Sequence, residues 1–176
     1  VFILVKTSGD ADFNKVLPDK RINDVTQINP IHVGQIIQPR TIEDISMAIN
    51  NSTGPISIGG GRFSMGGQTG FENSLHFDMR EFNQVLDLNL EKKQVTVQSG
   101  LVWRDLQNVI DKHDLSIKIM QTYANFTVGG SISVNCHGRY IGHGPIISSV
   151  LELKIVTANG EVLTANREEN FDIFRA

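Results

Sequence analysis

The sequence predicts an α+β fold, and three observations carry that prediction. Short runs with period-two alternation outnumber runs with helical spacing. The order is strand, helix, several strands, helix, several strands, which is not the strict alternation of a doubly wound nucleotide fold. The residues after the first glycine-rich segment, Met65 to Asn73, have no helical period, as such a fold would require. At 176 residues the chain makes one medium domain or two small lobes with room for a core. There is no internal repeat and no low-complexity segment.

Residues 1–35 mix Asp, Asn, Lys and Pro with short apolar pieces and form a segment of uncertain structure. From Ile36 the pattern becomes orderly. Ile36-Ile37-Gln38-Pro39 reads as a strand ended by proline, and Thr41 caps a helix with Ile42, Ile45, Ala48 and Ile49 on one face. The run Asn50 to Pro55 stops that helix, and its Gly54 is expected to matter more for folding than for ligand binding. Ile56-Ser57-Ile58 is the next strand, and Leu75 to Met79 another. Gln84–Leu90 and Gln94–Gln98 form a hairpin with Glu91-Lys92-Lys93 at its tip. Val102, Leu106, Val109 and Ile110 mark a second amphipathic helix ending near His113-Asp114, and Ser116 to Met120 reads as a strand. Val150–Val156 and Glu161–Leu163 flank Asn159-Gly160, a hairpin turn.

Composition narrows the function. A net charge of −3 with scattered Lys and Arg leaves no basic footprint for nucleic acid. Cys136 is the only cysteine, which excludes an intrachain disulfide framework and fits a reducing, cytoplasmic setting. No apolar run is long enough to be a transmembrane segment, and Val1-Phe2-Ile3-Leu4-Val5 is too short for a signal-peptide core other than the remnant of a cleaved one. The start at Val1 and the amphipathic end Phe171–Ala176 predict a piece of a longer protein.

The chemistry is concentrated in two segments, Gly59-Gly60-Gly61-Arg62-Phe63-Ser64-Met65-Gly66-Gly67-Gln68 and Thr127-Val128-Gly129-Gly130-Ser131-Ile132-Ser133-Val134-Asn135-Cys136-His137-Gly138. Clustered glycines let the main chain approach a ligand and turn its N–H groups toward an anion. Two such segments interleaved with hydroxyls suggest one large phosphate-bearing cofactor held from both sides. Neither is a known nucleotide motif by itself. The dinucleotide fingerprint needs glycine where Ser64 stands, and a P-loop needs Gly-Lys-Ser/Thr. A mobile surface loop is the plain alternative for the first segment taken singly. His137 is balanced between a role beside the ligand and simple packing, whereas His143 reads as a solvated loop residue. The two histidines lack carboxylate or thiolate companions for a metal. Cys136 reads as a small buried residue, Trp103 as helix core and Glu168-Glu169 as a solvated face.

The order of the pieces carries a resemblance. Gly-Gly-Gly-Arg-Phe-Ser after a strand is followed by Phe77-Asp78-Met79, Phe82-Asn83, Val97-Gln98-Ser99-Gly100 and Trp103-Arg104-Asp105-Leu106. Thr127-Val128-Gly129-Gly130, His137-Gly138 and Gly160-Glu161 complete the series. From about Ile36 to Leu163 this closely resembles the FAD-binding (PCMH-type) domain of the vanillyl-alcohol-oxidase flavoproteins. The nearest members are sugar and lactone oxidases such as decaprenylphosphoryl-ribose oxidase. The resemblance implies two α+β lobes, about 36–100 and 101–176, with FAD between them. The second lobe would be incomplete at its C-terminal end, and a substrate domain would lie outside this chain.

Carried over by residue, the resemblance puts the pyrophosphate on the segment Gly59, Gly60, Gly61, Arg62, Phe63, Ser64, Met65 with Gln68. It puts Thr127, Gly129, Gly130 and Ser131 on the cofactor's other side. Val134, Asn135, Cys136 and His137 would run along the ribityl chain and the isoalloxazine edge. Two departures matter. Phe63 stands where many members have a histidine bonded to the flavin, so FAD is expected to be non-covalent. Thr122 stands where cytokinin dehydrogenases carry a catalytic aspartate, so their amine chemistry is not expected, and Thr122 joins the cofactor-binding set. The implied function is oxidation of an alcohol carbon of a sugar, lactone or polyol, with no catalytic base identified. An enolpyruvyl-sugar reductase using NADPH and a non-catalytic FAD-binding module are the alternatives.

Overall fold

The computed structural model describes residues 19–176; the expectation for Val1–Val5 lies outside them. Helices and strands are mixed without strict alternation, so the class is α+β. Within the stretch where the sequence offered no element, β1 (Arg21–Ile22) and β2 (Ile31–His32) pair antiparallel. A three-stranded parallel sheet follows, made of β3 (Gln35–Ile37), β4 (Ile56–Gly59) and β5 (Leu75–Asp78), with β5 in the centre. Parallel neighbours need a crossover, and α1 (Ile42–Asn50) connects β3 to β4. A capping box sets its start: the Thr41 hydroxyl accepts from the Asp44 amide, and the Asp44 carboxylate accepts from the Thr41 amide.

All four residues of β5 are buried. Register places Leu75 and Phe77 beside Ile56 and Ile58, which makes one face apolar. The other face carries His76 and Asp78 beside Ser57 and Gly59, an unusual polar load for a central strand. That face lies beneath the first glycine segment and becomes important below.

The main core lies further along the chain. β6 (Val85–Asn89) and β7 (Gln94–Val97) form the expected hairpin. Its Val85, Leu88, Val95 and Val97 pack against a buried cluster that includes Trp103, Leu106 and Ile110 of α2 (Trp103–Ile110), which recur at helical spacing. Ile119, Val128, Cys136 and Ile146 complete the cluster. After α2 a single 3-10 turn ends at Asp114 in the left-handed region, φ 54°.

Ser116–Met120 is not a strand, which corrects the sequence reading. Its backbone is tied instead to a side chain: Gln107 donates from Nε2 to the Leu115 carbonyl at 3.1 Å and accepts at Oε1 from the Ile117 amide at 3.4 Å. Alternation there reflects burial of Ile119 in the core, not strand pairing.

After α3 (Val128–Ser133), described below, β8 (Glu152–Val156) and β9 (Val162–Asn166) form the second expected hairpin. Its turn residue Gly160 has φ +76° and docks on α1, where Ser46 Oγ donates to the Gly160 carbonyl. Its positive φ is what favours glycine, and a Cβ there would also make the Asn50 side chain, 2.5 Å away, shift. Gly54 is different: a Cβ there would meet open space and its φ is ordinary, so the structural role read for it from sequence is not supported. The short helix α4 (Phe171–Arg175) buries Phe174 under Arg167. No helix among the described residues is long and apolar enough to cross a membrane.

Candidate functional site

The first glycine segment leaves the sheet at Gly59 and turns at Arg62, which has a positive φ of 58°. Its far end is pinned by Asp24. That carboxylate accepts from the amides of Gly66 at 2.8 Å and Gly67 at 2.9 Å, and from both the amide and the hydroxyl of Thr26. Burial would raise the Asp24 pKa, but the hydrogen bonds from Thr26, Gly67 and Gly66 outweigh it and hold it at about 2. Between these ends, among the described residues, no protein acceptor takes the amides of Gly60, Gly61, Arg62, Ser64 or Met65. Ser64, Met65 and Gln68 are exposed.

Beneath the loop lies a buried polar cluster. Asp78 accepts from Arg62 Nη2 at 3.2 Å, from Arg80 Nε at 2.6 Å and Nη2, and from Gln38 Nε2 at 3.3 Å. Burial pushes the Asp78 pKa up, and the Arg80 hydrogen bond with the charges of Arg80 and Arg62 brings it below its ordinary value. His76 Nδ1 is 2.8 Å from Ser57 Oγ, which is 2.7 Å from Ser74 Oγ. Burial first, and then the Arg62 charge, lower the His76 pKa to about 4, so the ring is neutral at physiological pH.

The second glycine segment folds as the first turns of α3. Thr127 is its N-cap, accepting at Oγ1 from the Gly130 amide at 3.2 Å. Two adjacent glycines are poor helix formers; here Gly129 is required by contact, since a Cβ would lie 2.7 Å from Ser99 Cβ. The amides of Val128, Gly129 and Ser131 go to Leu101, Ser99 and Thr127 carbonyls. The Ser131 hydroxyl, fully buried, accepts from Trp103 Nε1 at 2.9 Å and donates to Gln121 Oε1 at 2.6 Å. The donors of this segment are therefore engaged within the protein, unlike those of the first loop.

The fold brings the two segments into contact. A Cβ on Gly60 would be 2.5 Å from Thr127 Oγ1, and one on Gly61 would be 3.2 Å from the Asn125 carbonyl. Phe63 packs edge-on against Tyr123 and Phe126, with ring centroids 5.2 and 5.1 Å away. Tyr123 and Phe126 line an open hollow of about 440 Å³ together with Gln121, Thr122, Val134, Cys136 and His137. Thr122, Val134, Cys136 and His137 are thus gathered at one place. Asn135, at φ 43°, lies on the same exposed stretch and accepts from the Ile147 amide. Cys136 is buried at the floor, and burial raises its thiol pKa, so it is no nucleophile.

Gln121, Tyr123 and Phe126 escaped sequence reading because no local period marks them. Asp24 escaped because it precedes the orderly part of the chain; the Asp-Val-Thr spacing, typical of an Asx turn, was the available signal.

The arrangement suits a flavin nucleotide on this chain's own evidence. The loop already holds one anion, the Asp24 carboxylate, on two of its amides. The amides left over adjoin, through Phe63, a hollow within the volume range of small-molecule sites. Comparison with known proteins agrees. The chain is 37% identical over 98 residues to L-gulonolactone oxidase of Bos taurus, covering 56% of this chain and 22% of that protein. It is 33% identical over 99 residues to a putative D-arabinono-1,4-lactone oxidase of Neurospora crassa, covering 56% of this chain and 18% of that protein. It is 28% identical over 158 residues to cytokinin dehydrogenase 2 of Arabidopsis thaliana, covering 86% of this chain and 31% of that protein. The chain thus spans between 18% and 31% of these relatives. The family model described as "FAD binding domain" matches residues 33–166, and the chain belongs to that family of FAD-binding domains of flavin oxidoreductases.

Proposed function

We propose that this chain is the FAD-binding part of a flavin-dependent oxidoreductase that oxidises an alcohol carbon of a sugar, lactone or polyol. The observation that carries the reading is the set of amides at Gly60, Gly61, Arg62, Ser64 and Met65 without protein acceptors, set against α3 and beside the hollow. Those amides would hold the pyrophosphate. Thr122, Val134 and His137 would face the ring system in the hollow, while Thr127, Gly129, Gly130 and Ser131 would form the wall that fixes the loop. FAD, when bound, would supply the hydride acceptor at N5 and pass electrons to oxygen or another acceptor. The residues of this chain bind, orient and exclude water. The base that takes the hydroxyl proton would come from a substrate domain outside it, and the two lobes would meet at the Gly60–Thr127 contact.

Attachment is non-covalent in this reading. Phe63 offers no nucleophile, and the Cys136 thiol is held protonated at the floor of the hollow. The lactone-oxidase neighbourhood is favoured over the cytokinin dehydrogenases by the hollow's lining, which among the described residues includes no carboxylate and has Thr122 at the place assigned to their acid. Anaerobic addition of sugars, lactone precursors and polyols to the full-length protein should bleach the flavin. Bleaching only by NADPH would favour an enolpyruvyl-reductase activity, and no bleaching by either would favour a non-catalytic module.

A further inference from the structure

Among the described residues, the cluster beneath the glycine loop sets two guanidinium groups, Arg62 and Arg80, against one carboxylate, Asp78. Asp78 is completely buried and is already gripped through both oxygens by Arg80, with Gln38 as a further donor. Arg62 adds a second guanidinium to the same carboxylate and is itself only 2% exposed. Among the described residues its Nε has no hydrogen-bond partner, and neither has His76 Nε2. Both atoms lie by the first glycine of the loop: a Cβ on Gly59 would press on His76 Nε2 at 3.0 Å and would be in ordinary contact with Arg62 Nε at 3.8 Å. The neighbouring imidazole is neutral and cannot offset the charge. The other buried acid of the region, Asp24, binds the amides of Gly66 and Gly67 at the loop's opposite end. The charge along the loop is therefore graded, positive where it leaves the sheet and compensated at Gly66.

A buried cation without full compensation is costly unless a counter-charge lies nearby. We infer that Arg62 is a positioning residue whose buried charge makes the Gly60–Ser64 end of the loop selective for the pyrophosphate of the cofactor, acting through the loop backbone. The inference rests on the proposal that FAD lies on this loop. It goes further in naming a side chain that acts from behind the main chain and that the resemblance assigned only for its amide. A side chain at Gly59 would press on the His76 imidazole that packs beside the guanidinium.

The test compares FAD with riboflavin, which lacks both the pyrophosphate and the adenosine, and relies on the lysine variant to separate charge from the other contacts. Dissociation constants for FAD and for riboflavin, which shares the ring system and lacks phosphate, are measured on the full-length apoprotein by flavin fluorescence quenching. Arg62→Gln keeps a donor for Asp78, which retains Arg80 in any case, and Arg62→Met serves if the Gln variant does not fold. The expected result is FAD affinity lowered about tenfold or more with riboflavin unchanged, and most of the loss recovered in Arg62→Lys. Equal FAD affinity in wild type and folded variant would overturn the inference. Parallel losses for FAD and riboflavin would also overturn it, because they would mark Arg62 as structural only. Failure of the underlying reading looks different: the wild type itself would bind riboflavin as tightly as FAD, or neither.

Discussion

Asp24 and Gly60 show how single residues set the geometry of the loop, each for a separate reason. Asp24 accepts four hydrogen bonds, two of them from the loop amides of Gly66 and Gly67. In Asp24→Asn, a carboxamide can turn only one acceptor toward these donors and brings N–H groups against the rest. The expected cost is about 2 kcal/mol of stability, with weaker FAD binding because the loop loses its far anchor. A thermal melt and an FAD titration of the same variant check both; unchanged values in the two would show that the anchor is dispensable. Gly60 is constrained by approach, since a Cβ would overlap the Thr127 hydroxyl at 2.5 Å. Gly60→Val should displace the loop from α3 and remove most of the FAD affinity while the β6–β7 and α2 core stays folded. Retained tight binding by the folded variant would mean that the loop does not hold the cofactor.

At the scale of elements, Gly160 and Gly54 make a matched pair. Gly160 joins the β8–β9 turn to α1 with positive φ, and a Cβ would displace the Asn50 side chain, so Gly160→Ala should lose about 1–2 kcal/mol. Gly54→Ala meets open space at ordinary φ and should be neutral or slightly stabilising. Melting temperatures of the two variants decide it, and an equal drop in both would contradict the structural reading. The same elements mark what the sequence could convey. α1, both long hairpins and α2 were legible because each rests on local signals: a capping box, alternation, Asn159-Gly160, and helical spacing from Trp103 to Ile110. Ser116–Met120 misled because alternation also arises when a loop inserts Ile119 into a core and borrows Gln107 for its backbone. The helix α3 was invisible because glycine pairs disfavour helix. What overrides that preference is tertiary: the Ser99 contact and the Trp103–Ser131–Gln121 relay. Likewise the two glycine segments could be picked out as ligand-facing, but not that only the first leaves some amides, those of Gly60, Gly61, Arg62, Ser64 and Met65, without acceptors among the described residues.

For the molecule as a whole, the buried acids Asp24 and Asp78 and the buried His76 act in one direction as pH falls. Asp24 and Asp78 have depressed pKa values in the folded state, so the stability they confer is present above the ordinary carboxylate range and is lost as pH falls through the folded values. His76 is also depressed, to about 4 from 6.5; the unfolded chain binds the proton first, so stability falls as pH drops through that interval. The linkage amounts to about 3 kcal/mol from His76 by pH 4, with the acids adding to it below. Melting temperature should therefore be steady near neutrality and begin to fall below about pH 6.5, before the carboxylates titrate. A His76→Gln variant should lose the first part of that decline. A wild-type profile flat from pH 7 to pH 5 would mean that His76 is not held neutral as the structure has it.

The central claim, a non-covalent FAD on the Gly60–Met65 loop, is tested most directly by the chromophore itself. The full-length protein, purified and precipitated with acid, should leave a colourless pellet and a yellow supernatant whose flavin is FAD. A supernatant holding FMN or no flavin would contradict the pyrophosphate site. A yellow pellet that fluoresces on a denaturing gel would show a covalent bond that Phe63 and a protonated Cys136 cannot make.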